Sequence, residues 1–258
     1  MEASISLHYS VIGSGMPMVF LHGFPLDHTI WYSVVDILNS SDLQIILPDL
    51  RGHGLSPAPE GVYTMDLMAN DILNLLDELG IQKAILVGHS MGGYVSLAFS
   101  RRYPDRLAGL ALIATQALAD SPEKRQSRLD TANAVLERGS KVICETMPSK
   151  LTDKEEIMEK IVSTICRTPP EGIVGALKGM AERPDLTTYL PSIDVPAVVV
   201  AGVKDTIIHP ENAQLMSRRL GNAWLVKIQQ AGHMPMLEAP EQVAVSLTQL
   251  AQKVSLRM

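Results

Sequence analysis

Aromatic residues are scarce in this chain: two Trp, six Tyr and three Phe among 258 residues, or 4%. Any pocket it forms has few stacking surfaces, and its 13 methionines favour flexible aliphatic walls instead. Basic clusters are missing as well. No more than two Lys or Arg residues stand side by side and the net charge is −6, which argues against a nucleic-acid-binding surface. No apolar run approaches the ~18 residues of a membrane span. Met1–Ser6 lacks a positively charged start and a long apolar core, so no signal peptide is visible and a cytoplasmic placement is expected. The two cysteines, Cys144 and Cys166, are too few for a disulfide framework and fit no metal-ligand spacing. They are expected to be free packing thiols in a reducing compartment.

What is present reads as one α/β domain with a helical insertion. A hydrophobic fraction of 46% and a charged fraction of 19% are ordinary for a globular protein, without internal repeats or low-complexity segments. Strands are expected at Ser4–Val11, Met16–Leu21, Leu43–Leu47, Ala84–Val87, Leu107–Ala114, Val195–Ala201 and Ala223–Ile228. Helical patterns separate most of them: Ile30–Leu38, Thr64–Leu79 with Gly80 as its stop, Tyr94 to Pro104, Pro210–Leu220 and Pro240–Val254. Several strands are apolar throughout, which implies a mostly parallel sheet covered on both faces. Residues 116–190 are different: charged, helical in pattern and without a strand. Four helices are expected there, near 122–138, 140–146, 153–167 and 170–182, punctuated by Pro148, Pro169-Pro170 and Pro184. The segment is too long for an ordinary loop. A core of 1–115 and 191–258 with a lid of 116–190 over the carboxyl edge of the sheet is the expected division.

The most informative stretch is Lys83-Ala-Ile-Leu-Val-Gly-His-Ser-Met-Gly-Gly93. An apolar strand runs straight into Gly-x-Ser-x-Gly, and a helix follows at once. Such a turn holds Ser90 in a strained backbone conformation, and Gly88 and Gly92 remove the Cβ atoms that would clash where strand and helix cross. Its hydroxyl then stands at the positive end of a helix dipole. A serine hydroxyl still needs a base to take its proton. Of the seven histidines (His8, His22, His28, His53, His89, His209, His233), only His233 lies in a loop just after the last strand. Asp205, three residues beyond the strand that ends near Gly202, can hold its imidazole in the required tautomer, with Asp120 as the substitute acid. The backbone N–H groups of Met91 and Phe24 are the expected oxyanion donors. His22 and Gly23 are read as shaping the Phe24 loop, not as a second base.

These pieces carry a family resemblance. From about residue 4 to the C-terminus the chain resembles the α/β-hydrolase fold superfamily, most closely its small esterase, lactonase and cofactor-free haloperoxidase-like members. The matching motifs are His22-Gly-Phe-Pro25, Asp49-Leu-Arg-Gly-His-Gly-Leu-Ser56, Gly88-His-Ser-Met-Gly-Gly93, Gly202-Val-Lys-Asp205 and Ala231-Gly-His233. The resemblance implies Ser90 as nucleophile, Asp205 as acid, His233 as base and a pocket shaped by 116–190. One departure is that the N-terminal hairpin usual in such sheets is cut almost to nothing.

The resemblance also narrows the chemistry. Relatives that open an alkyl centre use Asp at the elbow, whereas Ser points to attack on an acyl carbon. Meta-cleavage C–C hydrolases use Ser too, but residues 116–188 contain no Phe, Tyr or Trp to line an aromatic site. Leu118, Leu129, Leu136, Ile143, Met147, Ile161, Ile165, Ile173, Leu177 and Met180 would suit aliphatic acyl chains, with about a third of them facing the pocket and the rest packing within the lid. The expected activity is hydrolysis of a small-molecule carboxylic ester through an acyl-enzyme, with no metal or organic cofactor. A lactonase, thioesterase or perhydrolase would use the same residues, and a hydrolase-like ligand receptor is the non-enzymatic alternative.

Overall fold

A computed structural model describes residues 5–38 and 42–257. Seven strands form one sheet: β1 (Tyr9–Gly13), β2 (Met16–Leu21), β3 (Leu43–Pro48), β4 (Ala84–His89), β5 (Leu107–Ile113), β6 (Ala197–Gly202) and β7 (Ala223–Ile228). Their order is β1-β3-β2-β4-β5-β6-β7, all parallel except β1, which runs antiparallel to β3. The helices are α1 (Tyr32–Leu38), α2 (Met65–Glu78), α3 (Met91–Arg102), α4 (Pro122–Arg138), α5 (Lys141–Thr146), α6 (Pro148–Leu151), α7 (Glu155–Arg167), α8 (Pro170–Ala181), α9 (Pro210–Arg219), α10 (Pro235–Glu238) and α11 (Pro240–Ser255). This is the α/β-hydrolase architecture expected from the motifs.

The central strands β4 and β6 are buried at every residue, as a sheet covered on both faces requires. Right-handed crossovers set which helix covers which face. The chain steps one way along the sheet through α2, α3 and α9, and the opposite way through α1. α11 returns beside α1 and packs on β5 and β6. Helix ends follow local chemistry. Thr64 caps α2 by accepting the Leu67 N–H at 3.1 Å, and Gly80 ends it at φ +66°. Ser121 accepts the Lys124 N–H, and Pro122 starts α4.

Several boundaries differ from expectation. The first strand starts at Tyr9 and runs to Gly13; residues 5–8 form no strand, and Ser4 and Met1 lie outside the described residues. The alternation seen from Ile5 onward is that of chain passing the sheet's edge, where Val11 and Ile12 stay exposed. Between β5 and β6 lie five helices, the extra one being the single turn α6 that follows directly from α5.

The expectation of free thiols is overturned: Cys144 on α5 and Cys166 on α7 form a disulfide, with Cα atoms 4.8 Å apart. Packing of α5 on α7 brings together two residues 22 apart, which no spacing rule reveals. The argument from free thiols to a reducing compartment loses its premise. Among the described residues no helix is long and apolar enough to cross a membrane.

α8 docks through glycines. A Cβ on Gly172 would lie 1.8 Å from the Gly52 carbonyl oxygen, and one on Gly179 would lie 1.7 Å from that of Tyr63. The Tyr63 N–H donates to the Gly175 carbonyl at 3.0 Å. The helix therefore rests backbone to backbone on the 52–64 loop, which fixes its position relative to the sheet. Gly179→Ala is expected to lower unfolding free energy by ~1–3 kcal/mol through overpacking. Thermal unfolding tests this; an unchanged midpoint would mean the helix slides freely.

Candidate active site

The elbow follows from a close crossing. A Cβ on Gly88 would lie 2.5 Å from the Gly92 carbonyl oxygen, and one on Gly92 would lie 2.2 Å from that of Leu21. With β4 and α3 this close, Ser90 takes φ +49°, ψ −111°, outside the usual regions for a non-glycine residue. The neighbours hold it there. Its N–H donates to the Ile113 carbonyl at 3.0 Å, and its carbonyl accepts the Thr115 hydroxyl at 2.7 Å.

Loops after β6 and β7 bring up the partners. The Lys204 N–H donates to the Ala231 carbonyl, and Gly202 meets the Gly232 carbonyl oxygen so closely that a Cβ would stand 2.0 Å from it. This zipper sets Asp205 beside His233. Asp205 Oδ2 and His233 Nδ1 are 2.8 Å apart, and His233 Nε2 is 3.0 Å from Ser90 Oγ. Asp205 Oδ1 accepts the N–H groups of Ile207 and Ile208, both at 2.9 Å, which aims the other oxygen at the ring. Both Asp205 and His233 are nearly closed to solvent. Such a chain can transfer the Ser90 proton to His233 and hold the resulting imidazolium. Asp120 makes no hydrogen bond to His233. Arg128 and Arg183 take both of its oxygens, so it is no substitute acid.

The Phe24 loop is built on His22. Its Nδ1–H donates to the Gly23 carbonyl at 3.0 Å, and its Nε2 accepts the Leu50 N–H at 2.9 Å, the tautomer following from these partners. Burial lowers its pKa and keeps the ring neutral. The Phe24–Pro25 bond is cis. No hydrogen bond leaves the N–H of Phe24 or Met91 among the described residues, so both donors are spare.

Several supporting residues escaped sequence reasoning. His89, inside the serine motif, donates Nε2–H to the His233 carbonyl at 2.8 Å, with burial holding its pKa well below the usual value. Glu238 Oε2 accepts the Gly232 N–H at 2.5 Å, and its Oε1 accepts the Thr152 hydroxyl at 2.7 Å, tying the His233 loop to the α6–α7 turn. The Thr168 hydroxyl donates to the Pro25 carbonyl at 3.0 Å, tying the end of α7 to the Phe24 loop. Only a single histidine, acid or hydroxyl marks each of these in the sequence.

The 49–56 motif is structural. Asp49 Oδ1 accepts the His28 N–H at 2.9 Å and its Nδ1–H at 2.7 Å, while Oδ2 accepts the Leu55 N–H. Burial alone would raise the Asp49 pKa; the His28 hydrogen bond and its neighbours outweigh that and lower it to about 2. The Asp49 hydrogen bond in turn raises His28. His53 donates to the Arg51 carbonyl, and burial lowers it to about 3. Arg51 grips Asp71 of α2 with Nε at 2.8 Å and Nη2 at 2.7 Å.

A cavity of about 930 Å³ opens above Ser90 and His233, with Phe24, Tyr94, Ile207 and residues of α4, α5 and α8 in its walls. Of the ten apolar residues expected to line it or pack nearby, Ile143, Met147, Leu177 and Met180 reach it. Ile161, Ile165 and Ile173 are buried within the helices, and Leu136 points to solvent. The α4 wall is polar, contrary to the aliphatic surface expected, with Lys124, Ser127, Arg128 and Thr131 among its residues. No group of side chains suited to a metal ion occurs among the described residues.

Comparison with known proteins fixes the class. The profile of the alpha/beta hydrolase fold matches residues 16–240, so this chain belongs to that family and is a hydrolase. A thermophilic esterase from Thermogutta terrifontis, solved with malate bound, is 42% identical at a TM-score of 0.93, covering 97% of this chain and 94% of its own. The enol-lactonase from Burkholderia xenovorans LB400 is 26% identical at a TM-score of 0.88, covering 96% and 97%. The 3-oxoadipate enol-lactonase 2 of Acinetobacter baylyi is 26% identical over 245 residues, 92% of this chain and 90% of its own.

The buried histidines give a pH prediction. His22, His53 and His89 stay neutral when folded, whereas in the unfolded chain such rings protonate near pH 6.5. The unfolded state then binds more protons, so stability falls as pH drops below that value, by about 1.4 kcal/mol per pH unit for each ring. Unfolding in urea should take up roughly two to three protons near pH 5 and less than about one near pH 7, where the unfolded rings are mostly neutral and the raised His28 opposes them. Stability independent of pH across that window would contradict the neutral rings.

Proposed function

We propose that the protein is a serine carboxyl-ester hydrolase working through an acyl-enzyme, with Ser90 as nucleophile, His233 as base and Asp205 as the acid that orients it. The observation that carries this reading is the continuous chain from Asp205 Oδ2 through His233 to Ser90 Oγ, at 2.8 and 3.0 Å. Ser90 Oγ attacks the ester carbonyl carbon while His233 Nε2 takes its proton. The carbonyl oxygen becomes an oxyanion, received by the spare N–H groups of Phe24 and Met91. Collapse expels the alcohol, which takes the proton back from His233 and leaves the acyl group on Ser90. Water, deprotonated by the same ring, attacks the acyl carbon and releases the acid.

The 42% identity to an esterase over nearly the whole chain supports an ester as substrate. Helices α4–α8 serve in this reading as the lid that selects the acyl group. A lactone, which is an internal ester, is the second reading, favoured by the two enol-lactonase relatives. Ser90→Ala is expected to abolish turnover of p-nitrophenyl butyrate with the fold intact by circular dichroism. Asp205→Asn, which leaves the imidazole in the wrong tautomer, should lower kcat by about 10⁴-fold. Turnover of Ser90→Ala within tenfold of the parent would sink the assignment.

A further inference from the structure

One cluster that reaches the cavity through Arg128 sets a single carboxylate against two guanidiniums. Asp120 Oδ2 accepts Arg128 Nε–H at 2.6 Å and its Oδ1 accepts Arg183 Nη1–H at 2.8 Å, so one carboxylate stands between two guanidiniums. The side chains of Asp120, Arg128 and Arg183 are 1%, 14% and 4% exposed. Burial pushes the Asp120 carboxyl upward, but the two arginines outweigh it and keep the group ionised. One excess positive charge in a mostly buried triad is costly, and an anion beside it lowers that cost.

Arg183 is largely committed to the protein, and the one donor it leaves without a partner, Nε, is closed to solvent. It donates Nη1–H to the Met180 carbonyl at 2.9 Å and Nη2–H to the Leu118 carbonyl at 3.1 Å, and stacks 4.2 Å over the Tyr94 ring. Arg128 has capacity. Its Nη1 meets only the Met180 sulfur at 3.4 Å, a weak acceptor, and its Nη2 has no partner among the described residues. With Nε held by Asp120, the Nη1–Nη2 edge remains as a two-pronged donor of the kind that grips a carboxylate. Arg128 lines the same cavity as Ser90 and His233.

The surroundings extend the cationic edge. Lys124, one turn earlier on α4, and Lys150 of α6 line that cavity as well. Burial, then Arg128 and Lys150, lower the Lys124 pKa, as expected where like charges converge. Two acids also line it, Glu123 and Asp130. Helical geometry puts residues 124 and 128 on one edge of the cavity-facing side of α4, and 123, 126 and 130 on the other. Asp130 is engaged by Gln126 at 2.8 Å, and Glu123 sits exposed at the helix start.

We propose that the cavity takes esters carrying a carboxylate remote from the scissile bond, and that Arg128, flanked by Lys124 and Lys150, receives that carboxylate. The proposal rests on Ser90 being the nucleophile of an ester hydrolase. Arg128 acts as a specificity residue in this scheme and takes no part in bond breaking.

The test uses three esters with the full-length protein: neutral p-nitrophenyl pentanoate, mono-p-nitrophenyl glutarate with the carboxylate on the acyl side, and 4-carboxyphenyl pentanoate with it on the leaving group. The readout is kcat/KM for each carboxylated ester divided by that for the neutral one, compared between variant and parent so that intrinsic reactivity cancels. Arg128→Gln should lower at least one ratio by about tenfold or more, the loss of a charge-assisted hydrogen bond. Lys124→Gln with Lys150→Gln, at exposed positions the fold tolerates, should lower the same ratio about threefold. Whichever ratio responds tells whether the carboxylate sits on the acid or the alcohol portion. Unchanged ratios in both variants, or all three esters falling in parallel, would overturn the proposal. A parent that hydrolyses none of the three esters sinks the Ser90 reading itself and takes this proposal with it, an outcome distinct from turnover without preference.

Discussion

The structure depends on how closely β4 crosses α3. Gly88 and Gly92 leave no room for a methyl group between strand, helix and the end of β2, and that contact forces Ser90 into a backbone conformation with positive φ. Such strain costs of the order of 1–3 kcal/mol. The hydrogen bonds to Ile113 and Thr115 hold it in place. In return the Ser90 side chain stands clear of the sheet's carboxyl edge, where the loops after β2, β6 and β7 converge. There the half-buried Ser90 hydroxyl lies 3.0 Å from the buried His233 imidazole.

The histidines illustrate how partners, not residue type, set roles. His22, His53 and His89 are sealed in, lowered by burial, and used as neutral spacers whose ring nitrogens meet backbone groups. His28 is instead raised by Asp49 and pins the chain before α1 to the loop after β3. His28 and His233 each have a carboxylate on one nitrogen and a hydroxyl on the other, but the hydroxyl is that of Tyr32 for His28 and that of Ser90 on the elbow for His233. His89 matters to it indirectly, because a hydrogen bond to the His233 carbonyl fixes the backbone from which that ring projects.

Much of this was legible in the sequence where local patterns decide the outcome. The elbow could be read because glycine spacing, an apolar strand and an immediate helix leave few alternatives. Asp205 and His233 could be read because each follows a strand whose end lies at the same edge. Long-range packing left no such trace. The Cys144–Cys166 bond depends on α5 lying against α7, and two cysteines in a chain otherwise free of them looked like packing residues. The fate of Asp120 was hidden for the same reason: its partners are 8 and 63 residues away, and it reads locally as a turn acid. The α4 wall was misjudged because an amphipathic pattern indicates which face is apolar, not which face meets a cavity. The glycines at 172, 175 and 179 carried a signal that could have been used, since their spacing along one helix face anticipates a close approach to another backbone.

Two of the polar ties between the helices that join β5 to β6 and the core, Thr168 to Pro25 and Thr152 to Glu238, end on loops bordering Ser90. Placement of the cavity wall and placement of Ser90 and His233 are thus coupled through the same loops. The central claim is that Ser90 becomes covalently acylated. The direct measurement is mass spectrometry of the protein quenched with acid during turnover of a p-nitrophenyl ester, followed by peptide mapping. The account predicts a mass increase of one acyl group on the peptide carrying Ser90, accumulating in a His233→Ala variant less than in the parent. An acyl group mapped to another residue, or ester turnover with Ser90 never modified, would contradict it.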